Sequence, residues 1–224
     1  MSRTELEAGD NSGATCPVAL LLIDVINAFD FEGAEELVGP AVEMSAALSQ
    51  LKARAAMCDI PTIYVNDNFG RWRSDFRTLV SYCLEHEPSR QLAARLQPGE
   101  RDYFILKPKH SGFFATALEV LLKKLDVKTL VMTGLTTHQC VLFTATDAYI
   151  RDFHLIVPQD CVASPRENER DAALSQMETV LKARVCRSEE IDWYELGQAK
   201  EDGHPSCPAR NSLEPGSETS SRKS

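Results

Sequence analysis

The chain has 224 residues, 43% hydrophobic and 25% charged, enough for one well-buried core and too few to require two. Its 33 acidic side chains outnumber 24 basic ones for a formal net charge of −9, which argues against nonspecific binding to nucleic acid or to anionic membrane. Seven scattered cysteines with no CxxC pair or other zinc-like spacing fit a reducing, cytoplasmic setting better than a disulfide framework. No apolar run reaches membrane-span length, and the first ten residues lack the apolar stretch of a signal peptide.

In chain order, residues 1–16 are polar and irregular and read as a disordered tail. Residues 17–195 read as one globular domain. Residues 196–224, rich in Ser, Pro, Gly and charge with little to bury, read as a second disordered tail, solvated or used for docking. Within the domain, Val18–Ile23 (VALLLI) is a continuous apolar run, as expected of a strand covered on both faces. The pattern predicts a helix over 40–57, with Pro40 at its first position and Met44, Ala47, Leu48, Leu51 and Ala55 as its buried stripe. Strands follow at 61–65 and 103–106, a helix at 114–125, a strand at 129–132 and a helix at 137–151. A strand at 154–157, a helix at 167–182 and a short strand at Arg184–Cys186 complete the series. Strands alternating with helices predict a doubly wound, mostly parallel α/β sheet with helices on both faces. In such sheets the ligand crevice lies beyond the carboxyl ends of the strands.

Three reactive side chains fall there. Asp24 directly follows the first strand and Lys107 the third; Cys140 lies one turn past the fourth, in TGLTTHQCV. Each is weak alone: a strand-end Asp often caps a turn, a strand-end Lys often reaches solvent, and most cysteines are small buried apolar groups. Together they suggest covalent acyl transfer. If Thr136 or Thr137 caps the following helix, free N–H groups and the helix dipole would favour the Cys140 thiolate. A nearby Lys107 would add to this, and Asp24 would accept and return the proton. The same N–H groups would hold an oxyanion. The loop after the first strand contains no glycine, so the dinucleotide fingerprint is missing. There is no P-loop and no Gly-x-Ser-x-Gly elbow, and no cofactor is expected.

The segments LLIDVINAF, LKPKHSGFFATALEVLL and VMTGLTTHQCVLFTATDAYIRDFHLIVPQDCVAS resemble, in order and spacing, the signature blocks of the isochorismatase-like cysteine hydrolase superfamily. That superfamily includes nicotinamidases, carbamoylsarcosine amidohydrolases and ureidoacrylate amidohydrolases. The resemblance implies a six-stranded sheet ordered 3-2-1-4-5-6, a homo-oligomer, Asp24 as acid and base, Lys107 as charge partner and Cys140 as nucleophile. Lys109 competes for the lysine role, but Ser111-Gly112-Phe113 aligns that role with Lys107. The resemblance also implies a cis Leu135–Thr136 peptide that turns the Thr136 N–H toward the oxyanion beside that of Cys140. A puzzle comes with this order, because the third strand would lie two strands, roughly 10 Å, from the first.

Two departures narrow the chemistry. Nicotinamidases carry metal-binding histidines after the second strand, where this chain has Asn66-Asp67-Asn68 and no histidine, so no metal is expected. Isochorismatases proper lack the cysteine, so its presence favours C–N hydrolysis of a small amide, ureido or carbamoyl compound. The expected pocket comprises Asn27 and Phe29 on the loop after Asp24, Phe113 as a wall, and His138 at the rim with His110. Arg71 and Trp72 either clamp a planar or anionic substrate or form a plain surface loop. The competing functional reading is an idle member of the superfamily that serves as a binding scaffold.

Overall fold

A computed structural model describes residues 16–68 and 75–198. Most of both predicted tails, together with Arg71 and Trp72, lie outside the described residues.

β1 (Val18–Ile23) leads to a long helix α1 (Glu35–Met57), then β2 (Thr62–Asp67). Helices α2 (Phe76–Glu85) and α3 (Arg90–Arg95) precede β3 (Tyr103–Lys107), and α4 (Leu118–Lys124) precedes β4 (Thr129–Leu135). A wide π-type turn, Thr137–Val141, opens into α5 (Leu142–Ile150). Then come β5 (His154–Pro158), a two-residue β6 (Val162–Ala163), α6 (Glu167–Thr179), β7 (Arg184–Cys186) and α7 (Trp193–Gln198). The sheet runs β3-β2-β1-β4-β5-β7, and every pairing among the described residues is parallel.

The sheet has seven strands rather than the six expected. β5 pairs with β4 only over Thr129–Val131, and β6 then pairs with Gly134 and Leu135, supplying a neighbour where β5 has ended. α1 starts five residues earlier than expected. Glu35 and Glu36 in its first turn complement the positive end of the dipole, and Pro40 is accommodated inside, where its fixed φ is already helical and one backbone bond is forfeited. Helices α2 and α3 were not expected at all. The signal for α2 was present: Asp75 caps it by accepting from the Thr78 N–H at 2.7 Å, and Phe76, Leu79 and Cys83 bury one face. The last helix continues to Gln198, three residues past the predicted domain end.

β1 is buried on both faces, as its unbroken apolar run requires. Val18, Leu20 and Leu22 pack with Leu37, Met44, Leu48 and Leu51 of α1, while Ala19, Leu21 and Ile23 pack with Leu118, Leu122, Ala145 and Ala148 of α4 and α5. Each fully buried Leu or Ile contributes roughly 1.5–3 kcal/mol of transfer free energy, so this three-layer packing fixes the strand ends firmly.

Gly134 is required where β4 passes β1. Its φ is +111°, and a Cβ there would lie 2.0 Å from the Ile23 carbonyl oxygen, one residue before Asp24. Gly134→Ala is expected to lose about 3 kcal/mol or more, because the obstacle is backbone that cannot swing aside. The unfolding midpoint in urea, or the yield of soluble protein, reads this out.

Candidate active site

Three strand ends converge on one buried cluster. Asp24 follows β1 with φ +51°, a left-handed conformation that Asp tolerates better than most residues and that turns its side chain away from the strand path. Such an outlier persists only where its surroundings enforce it. Here the Asp24 N–H donates to the Val65 carbonyl at 3.0 Å, and Asp24 Oδ1 accepts from the Asp67 N–H at 2.7 Å. Asn66 braces the same loop, donating from Nδ2 to the Ile26 carbonyl at 2.7 Å. Asn27 Oδ1 accepts from the Phe29 N–H at 2.9 Å and so stabilises the loop where Phe29 also takes a positive φ.

Lys107 ends β3 in register with Asp67 of β2, and its ammonium is completely buried. Nζ lies 2.9 Å from Asp24 Oδ2, 3.3 Å from Cys140 Sγ and 3.5 Å from Asp67 Oδ2. The long stem therefore bridges the width of β2, which resolves the apparent distance between the first and third strands. Gly112 packs the segment that follows against the sheet: a Cβ there would meet Val65 Cγ1 at 2.7 Å. Its N–H donates to Thr144 Oγ1, which in turn donates to the Cys140 carbonyl at 2.6 Å. The element after Lys107 is thus tied directly to the turn that carries the sulfur.

That turn differs from the expected helix start. The Gln139 and Val141 N–H groups both donate to the Thr136 carbonyl, at 3.1 and 3.2 Å, which gives the turn its width. Neither Thr136 nor Thr137 caps it: both hydroxyls are buried without a hydrogen bond among the described residues. The Leu135–Thr136 peptide is trans, not cis as the resemblance implied; the cis bond among the described residues is Glu87–Pro88. Thr136 has an extended backbone, which carries β4 into the turn with the peptide in its lower-energy form.

The electrostatics also depart from expectation. Burial pushes the Cys140 thiol up to about 12, the Asp24 carboxylate beside it adds to the rise, and Lys107 opposes both. The direction is opposite to the dipole-stabilised thiolate expected from the sequence. Burial likewise raises Asp24 above the usual carboxylate range despite Lys107, making it a better proton acceptor than an exposed carboxylate. Burial alone would lower the Lys107 ammonium, but Asp24, Cys140 and Asp67 together outweigh it and hold the amine cationic. Asp24 and Cys140 thus share Lys107 Nζ as a common neighbour, which closes the cluster.

The expected pocket residues are placed unevenly. Phe113 is buried in the same apolar cluster as Cys140, with the Arg151 guanidinium 4.9 Å from its ring centre. Phe29 is buried in the cluster on the α1 side of the sheet. His138 turns to Ser164, with Nδ1 2.9 Å from Oγ, and its Nε2 lies 3.9 Å from Glu169. His110 is the residue that sequence reasoning undervalued: its Nδ1 lies 3.6 Å from Cys140 Sγ. The three-residue step from Lys107 was the available signal. Asp67, the second carboxylate on Lys107, was likewise passed over.

A doubly wound α/β sheet with a buried Cys/Lys/Asp cluster at its carboxyl edge defines the class of protein. Residues 18–190 match the isochorismatase domain model. The chain is 39% identical over 173 residues to YaaI of Bacillus subtilis strain 168, an uncharacterized isochorismatase family protein, covering 77% of this chain and 95% of that one. Over 91 residues it is 37% identical to the ureidoacrylate amidohydrolase RutB of Klebsiella pneumoniae, covering 40% of this chain and 38% of RutB. The N-carbamoylsarcosine amidase of Thermoplasma acidophilum superposes with a TM-score of 0.55 at 27% identity, over 78% of this chain and 98% of the amidase. The chain belongs to the isochorismatase family of hydrolases. No helix among the described residues is long and apolar enough to cross a membrane.

Proposed function

We propose that the protein is a cysteine amidohydrolase that cleaves a C–N bond of a small amide, ureido or carbamoyl compound. The observation that carries this reading is the placement of Lys107 Nζ 2.9 Å from Asp24 and 3.3 Å from Cys140, all three buried at strand ends. Asp24 takes the thiol proton as Sγ attacks the carbonyl carbon, and the carbonyl π pair moves onto oxygen. The backbone N–H of Cys140 holds that oxyanion, the Thr136 N–H losing its expected part with the trans peptide, and Lys107 balances the charge that passes between sulfur and carboxylate. Asp24 then gives its proton to the leaving nitrogen, and a thioester remains on Cys140. Water, deprotonated by Asp24, attacks the thioester; the S–C bond breaks and the proton returns to sulfur.

The relatives support the substrate class, since ureidoacrylate amidohydrolase and N-carbamoylsarcosine amidase are both named for hydrolysis at a ureido or carbamoyl nitrogen. Residues 17–195 form the catalytic unit in this proposal, working as a homo-oligomer in the cytoplasm. Arg71 and Trp72 remain proposed substrate contacts, with Asn27, Phe29, Phe113 and His138 shaping the pocket. The test is ammonia or amine release from a panel of primary amides, ureido acids and N-carbamoyl amino acids. Mass spectrometry of the wild-type protein quenched in acid during turnover should show an acyl adduct on Cys140. If no compound turns over and Cys140 reacts with iodoacetamide no faster than the exposed Cys58, the protein is the idle scaffold instead.

A further inference from the structure

Cys140 has neighbours of two kinds. Asp24 from the end of β1 and Lys107 from the end of β3 are buried, and Lys107 is in turn held by Asp67 from the end of β2. His110 is exposed, three residues beyond Lys107, with its Nδ1 3.6 Å from the sulfur. Phe143, exposed on the first turn of α5, lies against the imidazole with ring centres 5.4 Å apart and fixes its position over the turn. We infer that His110 is a second proton partner of Cys140, accepting the thiol proton at Nδ1 on the solvent side in parallel with the route through Asp24. The S–H bond breaks, an N–H bond forms, and no electrons change hands, leaving a thiolate beside an imidazolium. This inference rests on the reading of Cys140 as the nucleophile.

The physical case is the cost of the inner route. Burial and the Asp24 carboxylate both hold the thiol well above the ordinary cysteine range, so a resting thiolate needs added positive charge close by. Lys107 already bears its charge and has no lone pair to accept a proton. An imidazole in contact with sulfur both accepts the proton and becomes the missing cation. Because His110 is exposed, the proton it accepts exchanges with water without crossing the buried cluster.

The experiment follows iodoacetamide alkylation of Cys140 by peptide mapping between pH 6 and 9.5, with Cys58 of the same molecule as internal reference. Wild type is compared with His110→Gln, with His110→Phe, which keeps a ring against Phe143, with Asp24→Asn and with the Asp24→Asn/His110→Gln double variant. Both His110 variants are expected to slow Cys140 alkylation at pH 7 by about tenfold or more and to move its profile to higher pH. Asp24→Asn removes a carboxylate that raises the thiol, so it is expected to move the profile to lower pH, and His110→Gln is expected to slow labelling in that background as well. If His110→Phe keeps the wild-type rate while His110→Gln does not, the ring acts only by packing and the inference is overturned. It is also overturned, alone, if Cys140 of wild type is fast and His110→Gln matches it at every pH. Slow labelling of Cys140 in wild type itself, no faster than Cys58, removes the nucleophile and this inference with it.

Discussion

Cys140→Ala protein is expected to fold normally and to lose turnover by roughly 10⁴-fold or more on any substrate the wild type accepts. The structural side of this expectation follows from what the sulfur touches. Its removal deletes one buried atom, which costs about 1 kcal/mol and is within what a well-packed domain absorbs. The hydrogen bonds of the turn survive, because they run through the backbone of Thr136, Gln139 and Val141 and through Thr144, none of which uses the thiol. The chemical side follows from the covalent step, since among the described residues no other side chain in contact with Asp24 or Lys107 is a nucleophile of comparable strength. Cys140→Ser keeps the shape and is expected to lose about 10³-fold or more, because a hydroxyl yields its proton to a carboxylate far less readily than a thiol. Thermal melts paired with ammonia release separate the outcomes. An active Cys140→Ala protein would place the chemistry elsewhere, and an unfolded one would make the thiol a packing residue first.

Much of this arrangement was legible in the sequence because it depends on periodicity and order. The unbroken run at Val18–Ile23 and the helix-period segments give a buried parallel sheet, and the rule that sites lie past strand ends selects Asp24, Lys107 and Cys140. What was not legible depends on dihedrals and on side-chain reach. The positive φ of Asp24 and the path of Lys107 across β2 decide whether an acid and a cation two strands apart meet, and neither is encoded in a spacing. The thiolate expectation failed for a related reason. Position at a helix start is visible in sequence, whereas depth of burial is not, and here burial and the Asp24 carboxylate raise the thiol. The same blindness hid His110, whose importance comes from a contact rather than from a motif.

Lys107→Met is expected to be both inactive and destabilised by about 3–5 kcal/mol near neutral pH, the usual cost of stripping one partner from a buried ion pair. The cation is fully buried, and two carboxylates and a thiol are arranged around it. Without it, Asp24 must either stay charged in a buried site or take up a proton, so its pKa rises further than burial alone already drives it. The sign of the pH dependence follows. A carboxyl whose folded pKa is raised contributes stability that is complete below its unfolded value, about 4, and is lost as pH rises through the folded value. Lys107→Met should therefore come closest to wild-type stability at acidic pH and fall away toward neutrality. In wild type the raised Lys107 acts in the same sense at the alkaline end, its contribution intact through neutrality and lost only as pH climbs past the ordinary lysine range, about 10. The Asp24→Asn/Lys107→Met double variant removes both buried charges and should regain most of the lost stability, through a coupling of several kcal/mol, while remaining inactive. Urea unfolding of the four proteins at pH 5 and pH 8 measures that coupling directly. A cycle that closes additively at both pH values would mean that Lys107 and Asp24 do not share charge, and the acid–base assignment of Asp24 would fall with it.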